Sequence, residues 1–174
     1  MYNTIICEGT DGTGKSVLAQ SLATKYGYHY AWFGKPNRGE VFKTYLEGYL
    51  ELMYYTKVVL DRAHFSEEVY GSLFRDGSEL TDDQCQKLCA MLGKSIVIVH
   101  CNLPDHIVKG NLVKVPDDLH HDKEPNDIRK KYVEVLKNTG LPILDYNYKT
   151  HTVEQLMGML GIKQGMEEYV ASRD

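Results

Sequence analysis

No run in the sequence approaches the roughly 18 consecutive apolar residues of a membrane-spanning helix. The N-terminus has neither the charged nor the apolar region of a secretory signal. No membrane association is expected, and a cytoplasmic location is. None of the four cysteines, Cys7, Cys85, Cys89 and Cys101, belongs to a CxxC pair, which argues against structural zinc and for buried free thiols in a reducing compartment. There is no excess of positive charge. The 174 residues carry a formal net charge of −4, so no global field recruits nucleic acid. Internal repeats and low-complexity tracts are also lacking. What is present, 43% hydrophobic and 25% charged residues, suits one globular domain over residues 1–174 with a full core.

Residues 5 to 16 read Ile5-Ile6-Cys7-Glu8-Gly9-Thr10-Asp11-Gly12-Thr13-Gly14-Lys15-Ser16. Gly9, Gly14, Lys15 and Ser16 fit G-x-x-x-x-G-K-S, the P-loop or Walker A spacing. Glycines let the backbone curl so that successive N–H groups converge on one phosphate. Lys15 then reaches the outer phosphates, Ser16 can set its hydroxyl on Mg²⁺, and the helix that follows turns its positive end to the anion. An apolar run precedes the motif, and a helical pattern (Val17, Leu18, Leu22, Tyr26) follows it.

Tyr28 to Phe33 reads as a strand, and Gly34 to Gly39 as a loop. Val41, Phe42, Tyr45, Tyr49 and Met53 share one face of a helix. Lys57 to Asp61 is a short buried strand ending in an acid. Ser66 to about Arg75 is helical. Thr81-Asp82-Asp83-Gln84 is a capping box opening a helix with Cys85, Leu88, Cys89 and Leu92 inward. Ser95 to His100 is another strand. Residues 104 to 125 are polar and proline-interrupted, a candidate mobile lid. Asn126 to Asn138 is a helix with Ile128, Tyr132, Val135 and Leu136 inward, and Pro142 to Tyr146 a last strand. A second capping box at Thr152 opens a helix with Leu156, Met159 and Leu160 inward. Strands alternating with amphipathic helices imply an α/β fold, a parallel sheet covered on both faces, with ligands at the strands' carboxyl ends.

The second informative stretch is Asp61-Arg62-Ala63-His64-Phe65-Ser66-Glu67-Glu68-Val69-Tyr70. Asp61 ends an apolar strand as a Walker B acid does and can hold the metal through water. Arg62 offers a planar fork suited to phosphate. Together, Glu8 to Ser16 resembles the E-G-x-D-G-x-G-K-[ST] of the thymidylate kinase-like branch of the nucleoside and nucleotide kinases, and Asp61, Arg62, Ser66 and Tyr70 resemble its D-R-x-x-x-S-x-x-x-Y. The resemblance implies a P-loop NTPase fold with a five-stranded parallel sheet and a lid near 104–125. It also implies ATP with Mg²⁺, and γ-phosphoryl transfer to a deoxynucleoside monophosphate. Carried over, Gly12, Thr13, Gly14, Lys15, Ser16 and Val17 would hold ATP, and Ser16 and Asp61 the Mg²⁺. Asp11, Lys15, Asp61 and Arg62 would carry catalysis. Asp11, Lys35, Arg38, Phe42, Arg62, Ser66 and Tyr70 would meet the acceptor. A homodimer is common in the family.

The sequence departs from the family in two places. Relatives carry lid arginines, yet there is no arginine between Arg75 and Arg129; either a lysine of the lid (Lys109, Lys114 or Lys123) replaces it, or Arg129 swings in, or Arg62 and Lys15 suffice, and the pair His120-His121 reads as polar loop. The family's acid before the loop proline is Lys35, which disfavours an acceptor needing that base. Two alternatives stay open. One is a kinase acting on a hydroxyl of a nucleoside or of a modified base in DNA, with Asp11, Glu8 or Asp61 as base and Lys35, Arg38 and Lys43 as the basic cluster near DNA. The other is a nucleotide-binding ATPase module, although the N-K-x-D of a guanine switch is missing.

Overall fold

The computed structural model describes residues 2–113 and 124–162. Five strands form one sheet: β1 (Thr4–Glu8), β2 (His29–Trp32), β3 (Val58–Asp61), β4 (Ile96–Cys101) and β5 (Ile143–Tyr146). All pair in parallel, in the order β2-β3-β1-β4-β5. β1, β3 and β4 are apolar and buried on both faces, as a sheet covered twice requires. The chain steps from β1 to the far edge at β2 and works back, so β1 lies centrally and its carboxyl end opens where winding reverses.

One face is covered by α2 (Val41–Leu52), α3 (Phe65–Phe74), α4 (Asp82–Met91) and α6 (Pro125–Asn138), around a core that includes Tyr49, Leu60, Leu88, Ile98, Ile128 and Tyr132. The other face is covered by α1 (Lys15–Tyr26) and α7 (Val153–Met159), around Ile5, Leu18, Leu22, Val59, Val97 and Leu156. Both expected capping boxes form. Thr81 Oγ1 accepts from Gln84 N–H, Thr152 Oγ1 accepts from Gln155 N–H, and both glutamines reciprocate.

Several expectations are corrected. Met53 does not share the buried face of α2; it caps the helix, 67% exposed, and Leu52 is buried instead. On α7, Met157 is buried and Met159 is 58% exposed, because at 100° per residue Val153, Leu156 and Leu160 set an inward arc that Met157 continues and Met159 falls outside. The stretch taken for a mobile lid begins as a helix, α5 (Asp105–Leu112), with Val108 buried. The remainder of that stretch, with Lys114, His120, His121 and Lys123, lies outside the described residues. No described helix is long and apolar enough to cross a membrane.

Candidate active site

The P-loop leaves β1 at Glu8 and enters α1 at Lys15. Its first turn is possible only with glycine at 9: φ is +142°, and a Cβ there would stand 2.4 Å from the carbonyl oxygen of Cys101. Gly14 caps α1 in the left-handed region (φ 84°, ψ 17°) with no side-chain acceptor on the helix N-terminus. The first N–H groups of α1 therefore face the loop's hollow, the arrangement that binds an anion. Thr13 Oγ1 donates to the Thr10 carbonyl at 2.6 Å and stiffens the loop. Lys15 Nζ donates to the same carbonyl at 2.8 Å and reaches Asp11 at 3.4 Å. Burial lowers the Lys15 pKa, and the nearby Arg62 charge adds to this.

Arg62 follows β3 and is the one described non-glycine residue with positive φ, 71°. Its N–H donates to the Cys7 carbonyl at 3.0 Å, so the turn is pinned to β1 and throws the side chain over the P-loop. Nη1 donates to Tyr132 Oη at 2.8 Å and Ser66 Oγ at 3.1 Å. Nη2 donates to Asp11 and, at 3.3 Å, to Tyr70 Oη. Tyr70 Oη donates in turn to Asp11 Oδ2 at 3.3 Å. Beneath lies Glu8, fully buried, accepting from Ser66 Oγ at 2.7 Å and from Ala63 N–H at 2.8 Å. Because Ser66 gives its proton to Glu8, the 2.9 Å contact between Ser66 and Tyr132 has the tyrosine as donor. Burial raises the Glu8 pKa; Arg62 and the two hydrogen bonds oppose it. Burial works against the Arg62 charge, but Tyr132, Tyr70 and Asp11 outweigh it, and its pKa is raised.

Two cavities meet at this centre. One, of about 560 Å³, lies between the P-loop, α5 and the segment after β5; its walls include Gly12, Gly14, Val17, Leu112, Tyr148 and Val153. Asn111 Nδ2 donates to the Gly12 carbonyl at 2.7 Å and to Tyr148 Oη at 3.0 Å, holding α5 on the loop. The other, of about 510 Å³, lies on the α2–α3 side and is lined by Lys35, Arg38, Asp61, Arg62, Ser66 and Tyr70. Asp11, Lys15 and Ser16 line both.

Ser16 and Asp61 stand in the wall of the same cavity. Asp61 is buried and accepts from Tyr30 Oη at 3.1 Å. A hydroxyl and a carboxylate are hard oxygen donors that suit Mg²⁺. No group of three or more His, Cys, Asp or Glu comes together among the described residues. A cation there would need phosphate oxygens and water to complete its shell, as Mg²⁺ in kinase sites does.

Phe42 does not line the second cavity. It packs against the core, and Tyr45, three residues along the helix, takes the wall. Thr13 lies beneath the loop rather than in a cavity wall. Lys109 pairs with Glu124 on the surface, and Arg129 donates to Asn126 at 2.7 Å. Sequence reasoning missed Tyr132, Tyr30, Glu67, Arg75, Asn111 and Tyr148. Tyr132 sits at an inward helical position, where a tyrosine reads as core; its hydroxyl was the one available signal, since a buried phenol needs a partner.

No protein-family model matches the chain. Among curated proteins it is similar to the SPbeta prophage-derived uncharacterized protein YorR of Bacillus subtilis (strain 168), 28% identical over 141 residues that span 79% of this chain and 84% of that one. Among solved structures, the crystal structure of YorR from Bacillus subtilis in complex with phosphorylated GDP superposes with a TM-score of 0.72 at 23% identity, covering 90% of this chain and 92% of that one. Deoxyadenosine kinase from M. mycoides, solved with the products dCMP and a flexible dCDP, gives a TM-score of 0.60 at 14% identity over 91% of this chain and 98% of that one. The fold is that of the P-loop kinases. Polyphosphate kinase 2 from Arthrobacter aurescens TC1 shares it, with a TM-score of 0.58 at 14% identity over 95% of this chain and 71% of that one.

Proposed function

We propose that the protein transfers the γ-phosphoryl group of ATP, with Mg²⁺, to a deoxynucleoside monophosphate, in the manner of the thymidylate kinase-like enzymes. The observation that carries this is the pair of nucleotide-sized cavities converging on Asp11, Lys15 and Ser16. A switch or ATPase needs one nucleotide site, whereas a group transfer between two nucleotides needs two that share a phosphate centre. The likeness to YorR, crystallised with phosphorylated GDP, and to a deoxynucleoside kinase holding dCMP and dCDP agrees with nucleotide chemistry.

In this scheme ATP lies along the α5 side. The P-loop N–H groups and Lys15 take its phosphates, and Val17 and Tyr148 flank its base; Ser16 and Asp61 would hold Mg²⁺, which would supply charge neutralisation at the transferring group. The acceptor lies on the α2–α3 side, with Arg62, Lys35 and Arg38 meeting its phosphate. Catalysis is positioning and charge stabilisation. A monophosphate is favoured over a hydroxyl because the carboxylates near the phosphate centre are engaged. Asp11 is paired with Arg62, Asp61 accepts from Tyr30, and Glu8 accepts from Ser66 and Ala63. A carboxylate tied to a guanidinium is a poor base, and a phosphate oxyanion needs none.

A transfer assay with labelled ATP and Mg²⁺ tests this, with the four deoxynucleosides, their monophosphates, hydroxymethylated pyrimidine forms and duplex DNA as acceptors. Label in a nucleoside diphosphate is the expected result. Label in a monophosphate or in DNA would move the acceptor to a hydroxyl, and label in free phosphate alone would leave an ATPase.

A further inference from the structure

Buried Glu67 and half-buried Arg75 form an ion pair that the phosphate chemistry above does not use. Glu67 follows Ser66 on α3 and is 4% exposed. Its Oε2 accepts from Arg75 Nη2 at 2.7 Å and its Oε1 from Glu79 N–H at 3.2 Å. Arg75 Nη1 also reaches Glu79 at 3.4 Å, and Glu79 accepts the Gly39 N–H at 2.6 Å, tying the end of α3 to the loop that carries Lys35 and Arg38. The intervening turn is packed hard on α3: a Cβ on Gly71 would stand 2.7 Å from the Gly77 carbonyl oxygen. The pair is thus rigidly held. As a fastening alone it has little advantage, since apolar residues in its place would serve stability as well.

Both residues line the acceptor cavity, together with five aromatic side chains, Trp32 among them. Phe33 and Tyr45 come from the α2 side, centroids 5.4 Å apart. Tyr70 and Phe74 come from α3, 5.8 Å apart and within 20° of parallel. Aromatic rings offer stacking faces to a base, and an ion pair in the wall offers donors and acceptors to its edge.

We propose that Glu67 and Arg75 read the acceptor's base and that this base is guanine. The inference rests on taking this cavity as the acceptor site. Guanine presents two adjacent donors, N1–H and N2–H, beside the acceptor O6. A carboxylate takes two adjacent N–H groups, and a guanidinium donates to O6. Each Glu67 oxygen accepts one described bond from the protein and has capacity for a second. Adenine, cytosine and thymine each turn at least one acceptor toward the carboxylate, leaving lone pair against lone pair. A lost hydrogen bond to a charged group lowers affinity by about tenfold to a hundredfold.

The test is equilibrium binding of dGMP, dAMP, dCMP and dTMP to the full chain without ATP. It is followed by the fluorescence of Trp32, the single tryptophan, which lines the cavity. The dGMP complex is expected to be at least about tenfold tighter than the other three. Glu67→Gln should erase that preference while dTMP affinity stays near wild type; because it leaves Arg75 without the Glu67 carboxylate, it should also lower Tm. Glu67→Asp, which keeps the charge, should retain part of the preference. Absence of a guanine preference would overturn the assignment. So would equal weakening of all four ligands in both variants, the mark of a merely structural pair. Guanine preference without phosphoryl transfer would sink the kinase and keep the base assignment, so the two failures are distinct.

Discussion

Arg62 holds a left-handed backbone, costing about 1 kcal/mol or more, and four side chains receive its guanidinium. In the proposed scheme, a residue so constrained would meet the acceptor with its fork already oriented. Arg62→Ala is expected to raise KM for the monophosphate at least about tenfold while leaving KM for ATP within about twofold; equal effects on both would remove Arg62 from the acceptor side. Lys15→Ala should abolish nucleotide-dependent activity, read in the same assay. Gly9 is a different kind of residue-scale constraint. An alanine there meets the Cys101 carbonyl at 2.4 Å at φ +142°. Gly9→Ala should destabilise the chain by about 3 kcal/mol, as strain and overpacking together cost, measured as a lowered midpoint of urea unfolding.

At the scale of elements, α4 and α7 each start at a threonine–glutamine capping box. α4 has one fully enclosed side chain, Leu88, while Cys85 and Cys89 are half-buried. With so little burial its N-terminus depends on the cap. Thr81→Ala should lower stability by about 1 kcal/mol, or about 2–4 °C in Tm for a domain of this size, without changing either substrate KM, since α4 touches neither cavity. Calorimetry beside steady-state kinetics checks both halves. α6 is the contrasting case. It buries Tyr132 completely, and that hydroxyl reaches across to Ser66 and Arg62, so the packing of α6 and the aim of the Arg62 guanidinium are one feature.

Over the whole molecule, stability is coupled to pH through His64, enclosed between α2, α3 and α4. Tyr49 Oη accepts from the His64 N–H at 3.2 Å and lies 2.9 Å from Nδ1, and Cys89 Sγ stands 3.4 Å from Nε2. With Tyr49 donating to Nδ1, the ring is the neutral Nε2–H tautomer. Burial pushes its pKa down from 6.5 to about 3. The sign follows: between those values the unfolded chain binds a proton that the folded chain refuses, so stability is full above about 6.5 and falls as pH drops toward 3. The His64 contribution between pH 7 and pH 5 is a loss of about 2 kcal/mol. Glu8, whose pKa burial raises, acts in the opposite direction at the acid end. Urea unfolding at pH 7 and pH 5 should show a smaller difference in His64→Gln than in wild type; equal differences would mean that His64 charges freely in the fold.

The parallel sheet, the P-loop and the Asp61-Arg62 step were legible in the chain because their causes are local. Apolar runs mark strands buried on both faces, glycine spacing marks a loop that must curl, and Thr-x-x-Gln marks a helix start. Those rules depend on neighbours a few residues away. The Arg62–Tyr132, Glu67–Arg75 and Asn111–Gly12 contacts were not legible. The first and last join residues 70 and 99 positions apart. The second is near in sequence but faces a cavity whose other walls come from β2 and α2. Phe42 and Tyr45 looked equivalent on one helical face, and it took the docking angle of α2 to set Tyr45 in the wall and Phe42 against the core. The phosphate centre was written in consecutive residues, whereas the two cavities it joins exist only once the sheet has brought distant segments together.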